Sequence, residues 1–130
     1  MDNKVKYWLD ISEEDISVAQ ILLDGGKLLY CGFMCHQVVE KALKALISRD
    51  CRDGEMPPKI HNLVRLSEIA NLEGKLTESQ EYFLEDLNPL HVETRYPEYK
   101  SKIAATLSKE SCTKLLADAE DFLCWIKEQL

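Results

Sequence analysis

The chain has 130 residues, 45% hydrophobic and 30% charged, with a formal net charge of −7 and only five glycines and four prolines. That makes one domain, residues 1–130, around a single core, and it excludes fibrous, low-complexity and disordered chains. Apolar runs such as Val38-Val39 fall far short of the roughly 20 residues of a membrane span; Asp10, Glu13, Glu14 and Asp15 sit where a signal peptide needs its apolar stretch, so a cytoplasmic protein with no membrane association is expected.

Residues 4–24 place Val5, Trp8, Ser12, Ile16, Ala19 and Leu23 at helical spacing, and Gly25-Gly26 supplies the stop. A second long helix follows over about 28–50, carried by Cys31, Cys35, Val38, Ala42 and Leu46. Residues 51–60 contain Gly54 and Pro57-Pro58 and read as a loop. A short third helix runs from His61 through Leu63, Leu66 and Ile69 to Gly74, and Thr77-x-x-Gln80 resembles a capping box that opens a fourth. That helix extends to about His91, with Pro89 kinking or ending it. Val92 to Tyr99 reads as a break, and Ser108 precedes a last helix bearing Cys112, Leu115, Leu116, Ala119, Leu123 and Ile126. With no strand signal, the pattern predicts an all-α fold: an up-and-down antiparallel bundle of four to five helices.

Charge is unevenly placed. Residues 41–65 hold six basic and three acidic side chains, and 94–114 hold five and two, inside a chain otherwise strongly acidic. The overall sign argues against long DNA as a partner; the two basic segments matter if folding joins them. Gln37, Glu40, Lys41 and Lys44 share one stripe of the second helix. Their spacing is compatible with a solvated helix side carrying a Glu40–Lys44 ion pair, or with a phosphate-binding edge in which Gln37 meets a sugar or base. His61 with Arg65, and His91 with Arg95, repeat H-x-x-x-R, either as helix-end packing or as ligand contacts. In Arg95-Tyr96-Pro97 the proline fixes the turn after a guanidinium and a ring suited to a phosphate and a base, or the ring anchors the loop on the bundle.

Metal and covalent chemistry find less support. Five cysteines without a C-x-x-C pair read as free thiols, and His36 lies about 100° around the helix from Cys35, so no cofactor or metal is expected. No catalytic signature surrounds any thiol, and no glycine-rich phosphate loop follows a strand.

Four pieces in order resemble the HEPN domain: Tyr7-Trp8-Leu9 with Asp15-Ile16 and Ala19; Phe33-x-x-x-Gln37-Val38-Val39-Glu40-Lys41-Ala42-Leu43-Lys44-Ala45-Leu46; Pro58-x-x-His61-Asn62-Leu63 with Leu66; and Thr94-Arg95-Tyr96-Pro97. The resemblance covers almost the whole chain. It implies a bundle like the substrate-binding half of kanamycin nucleotidyltransferase, a homodimer, and a nucleotide-binding or partner module. That module would be the toxin-like or accessory half of a toxin–antitoxin-type pair with a minimal nucleotidyltransferase. Other HEPN members are metal-independent RNA endonucleases with an R-x(4–6)-H motif, which is absent after Arg49, Arg52, Arg65 and Arg95. A non-catalytic interaction domain is a further reading. Joined to the charge distribution, the resemblance implies one groove in which Lys41, Lys44, His61, Arg65 and Arg95 receive phosphates, Gln37 hydrogen-bonds the sugar or base, and Tyr96 offers its ring.

Overall fold

The structure, a computed structural model, describes residues 2–93 and 95–130, and among them it has six α-helices and no strand. Asp2 opens α1 (Asn3–Asp24) by accepting the Lys4 N–H, and Gly26 ends the turn after it with φ of 75°. The chain reverses there into α2 (Leu28–Arg49). The α1 stripe is Val5, Leu9, Ser12, Ala19 and Leu23, flanked by Trp8 and Ile16. Its one polar member is satisfied, because the Ser12 hydroxyl donates to the Val38 carbonyl across the hairpin at 2.7 Å.

α2 is the axis of the molecule. Fifteen of its 22 residues are buried, so it is covered on every side rather than along one stripe. α1 and α6 (Lys109–Gln129) flank it; α6 turns Cys112, Leu116, Ala119, Phe122, Leu123 and Ile126 inward. The shorter α3 (Leu63–Ile69) and α4 (Glu78–Leu87), and a three-residue 3₁₀ turn at Asn88–Leu90, close the remaining side. Capping boxes start α4, through Thr77 and Gln80, and α6, through Ser108 and Ser111.

Three elements differ from what the sequence predicts. α3 begins at Leu63 because Asn62 caps it, which leaves His61 outside the helix; it ends at Ile69, and Asn71 at φ 61° turns the chain well before Gly74. The fourth helix stops at Leu87, where Pro89 allows only the 3₁₀ turn. Pro97–Ala104, partly assigned to a break, is a further helix, α5, with Pro97 in its first turn, where a missing N–H costs nothing. No residue of α5 is buried, so it carries no apolar stripe to read. Thr94 of the Thr-Arg-Tyr-Pro motif lies outside the described residues.

Candidate functional site

The stripe Gln37, Glu40, Lys41 and Lys44 is not solvated. Glu40 is 2% exposed and Lys44 6%, and His36, one turn earlier, is fully buried. The Lys44 ammonium donates to Glu40 Oε2 at 3.0 Å and lies 5.8 Å from the centre of the Trp8 ring. Lys41 stands 3.7 Å from the same oxygen and donates to Gln37 Oε1 at 2.5 Å. That bond turns the Gln37 amide nitrogen toward His36 Nδ1, 3.4 Å away. His36 Nε2 lies 3.0 Å from the His61 carbonyl, which only accepts, so Nε2 carries the proton and Nδ1 the lone pair. Burial pushes His36 down to about 4, with the charges of His91 and His61 adding to it against Glu40, so its ring is neutral.

The network converges on His61. Its Nδ1 lies 2.9 Å from Glu40 Oε1. Burial alone would raise the Glu40 carboxyl, but the His61 hydrogen bond and the Lys41 and Lys44 ammoniums outweigh it and hold the group below the usual range. Glu40 is therefore a carboxylate that can only accept; His61 Nδ1 holds the proton, and Nε2 is the free nitrogen of a half-exposed ring. His91 stacks on that ring with centroids 4.1 Å apart and planes 15° from parallel, and also meets His36 and Phe33. All three histidines of the chain thus gather around one buried carboxylate.

Outside this stack lies a cleft of about 500 Å³ lined by His61, Asn62, Asn88, His91, Arg95 and Tyr99, with Pro89 at its edge. Asn62 Oδ1 accepts the Arg65 N–H and the Asn88 amide, and Asn88 Oδ1 accepts the Leu63 N–H at 2.7 Å. With both oxygens committed, the Asn62 amide nitrogen and the second N–H of the Asn88 amide are the polar ends available to a ligand. Arg95 lies over the Tyr99 ring at 5.1 Å, and the Tyr99 hydroxyl donates to the Pro89 carbonyl, which holds the start of α5 against the cleft. The fixed polar groups here are donors and a guanidinium, the chemistry of an anion site.

Of the residues singled out from sequence, His61 and Arg95 line this cleft. Gln37 and Lys41 sit behind it in the Glu40 network, and Lys44 is interior, its charge spent on Glu40. Arg65 is on the surface beside Glu68, 3.5 Å away. Tyr96 is 82% exposed and outside the cleft, where Tyr99 supplies the ring. Sequence reasoning missed Tyr99, Asn62, Asn88 and the role of Glu40. The available signal was the i, i+4, i+8 run His36, Glu40, Lys44 inside a helix whose other positions are mostly apolar.

Glu40, His61 and His91 bring ligand atoms within 4.8 Å of one another, the one such group among the described residues. Two near-parallel stacked rings point their in-plane lone pairs alongside each other rather than at a common centre, and the carboxylate is already neutralised by two ammoniums. The arrangement suits shared protons better than a cation. The five cysteines are free thiols; Cys31, Cys35 and Cys112 are buried together, and burial pushes Cys112 up to about 11. A larger groove of about 590 Å³, lined by Tyr82, Phe83, Leu107 and Leu115 among others, contains no imidazole or guanidinium.

The HEPN domain profile matches residues 5–129. No curated protein matches the chain. Among solved structures, TT1696 from Thermus thermophilus superposes with a TM-score of 0.82 at 22% identity, covering 99% of this chain and 100% of its own. ST0689, an archaeal HEPN homologue, gives a TM-score of 0.64 at 20% identity, covering 98% of both chains.

Proposed function

The chain belongs to the HEPN domain family, and from that premise we propose that the cleft beside the histidine stack binds the phosphate of a nucleotide. The observation that carries this reading is the lining: Arg95, His61, and two asparagines whose oxygens are consumed elsewhere. Arg95 supplies the permanent charge and Asn62 and Asn88 the neutral donors, while the exposed face of His61 gives a base a surface to stack on. Lys41, Lys44 and Gln37 act from behind, by holding Glu40 charged and His61 oriented. Calorimetric titration with nucleoside triphosphates at low salt tests this. Saturable heat from the native chain and its loss in Arg95→Ala are expected; equal, negligible heats from both proteins would remove the proposal.

One observation favours a second reading. The Glu40–His61 hydrogen bond fixes the Nδ1–H tautomer and orientation of His61, so that Nε2 is the nitrogen turned to proton transfer, in the same cleft as an arginine. In metal-independent RNA cleavage, Nε2 would take the 2′-hydroxyl proton, the 2′ oxygen would form a bond to phosphorus, and the 5′ oxygen would leave. Cleavage of structured RNA in EDTA, abolished by His61→Ala, is the expected result on this reading; intact RNA after prolonged incubation removes it. The pairing with a minimal nucleotidyltransferase and the homodimer belong to the same proposal, supported by the large aromatic surfaces that Tyr82 and Tyr96 leave exposed.

A further inference from the structure

His91 has no role in the reading above beyond its place in the wall. Its ring is held on one side by His61, nearly parallel at 4.1 Å, and on the other by Phe33 and His36 of α2. The charged and titratable groups that face it are Glu40 and His36 from α2, His61 from the segment before α3, Glu93 and Arg95 from its own segment, and Tyr99 from α5. Two of these are anions, but Glu40 is committed to Lys44 and to His61. Arg95 lines the same cleft and adds a positive charge there. In the protein alone, a proton on His91 would sit in a half-buried ring stacked against a second imidazole and near a guanidinium, with no hydrogen-bond acceptor among the described residues.

We propose that His91 is the proton acceptor of this cleft: entry of an anion beside Arg95 is coupled to protonation of the His91 imidazole, so that ligand binding is proton-linked. The inference rests on the phosphate-binding reading and adds the means by which the site completes its charge. A phosphate placed against the stack supplies a hydrogen-bond acceptor, and a negative charge beyond those of Glu40 and Glu93, and both favour the imidazolium. The direction of the shift in the free protein agrees. Burial, then the neighbouring His61, hold His91 below the ordinary histidine value, which leaves room for a ligand to raise it. His36 has no such freedom: it is sealed from solvent and its Nε2–H is spent on the His61 carbonyl. Because binding takes up a proton, the cleft would grip its ligand more tightly as pH falls and release it as pH rises.

The chain has only three histidines, so each imidazole C2 proton can be followed by NMR. With ATP at saturation, the titration midpoint of His91 is expected to rise by about one pH unit; one unit corresponds to a tenfold limiting effect on affinity. In parallel, the ratio of ATP affinities at pH 6 and pH 8 is measured for the native chain, His91→Phe and His91→Gln. The phenylalanine keeps a ring against His61 and the glutamine keeps polarity, and both abolish titration. Since all three proteins meet the same ATP, the ligand's own titration cancels between them. The native chain should favour pH 6 several-fold more than either variant. An unmoved His91 midpoint with ATP bound, or variants with the native pH ratio, would overturn the inference while leaving the phosphate site standing. Absence of ATP binding at every pH would overturn both.

Discussion

A carboxylate 2% exposed in the middle of a helix is costly if it stands alone, and Glu40 does not: it accepts from Lys44 and His61, with Lys41 3.7 Å away. Such a cluster adds little net stability over apolar residues of the same volume, because desolvating the charges offsets most of their attraction. Its use here is positional, since it fixes which nitrogen of His61 is protonated. Removing one member is another matter. Glu40→Ala leaves the Lys44 ammonium buried and unpaired, and is expected to lower unfolding free energy by about 3–5 kcal/mol. The double change Glu40→Leu with Lys44→Met should recover most of that loss, yet leave His61 without its partner. Urea denaturation of the two variants decides: a single variant within about 1 kcal/mol of the native chain would mean that the charges are not buried as described.

At the scale of elements, sequence and structure agree where one physical signal dominates. α1, α2 and α6 each run more than 20 residues with an apolar repeat near 3.6, and two N-termini carry capping residues, so existence and approximate ends were legible. α5 was not: it is eight residues long, buries none of them and starts with a proline. Periodicity also placed Glu40, Lys41 and Lys44 on one stripe, but it reports only which residues share a face. It does not report what covers that face, and the covering residues come from elsewhere, His61 from before α3 and His91 from after the 3₁₀ turn. The H-x-x-x-R repeat pointed to the right histidines for only half of the right reason. His91 and Arg95 do share the cleft, whereas the Asn62 cap starts α3 after His61 and sends Arg65 to the surface.

For the molecule as a whole, two effects compete as pH falls from 7 toward the isoelectric point near 5.0. The net charge of −7 shrinks, which relieves self-repulsion and favours the folded state. Against this stands His36, whose native value near 4 lies below the unfolded one near 6.5. Between those values the unfolded chain binds a proton that the native chain does not, so the stability His36 contributes is complete above pH 6.5 and drains away as pH falls toward 4. A gap of that size corresponds to about 3 kcal/mol. His91 is shifted the same way, and Glu40, held low, withdraws its own contribution at still lower pH. Asp15 works in the opposite sense, since burial raises its carboxyl, but it is only half-buried with Lys41 countering. The buried histidine outweighs diffuse surface repulsion screened beyond about 8 Å at physiological salt. The urea midpoint is therefore expected to be lower at pH 5 than at pH 7, with a flatter dependence in His36→Gln. A native chain more stable at pH 5 than at pH 7 would mean that His36 accepts a proton without leaving the core, and that the Nε2–H bond to the His61 carbonyl does not fix it as a neutral ring.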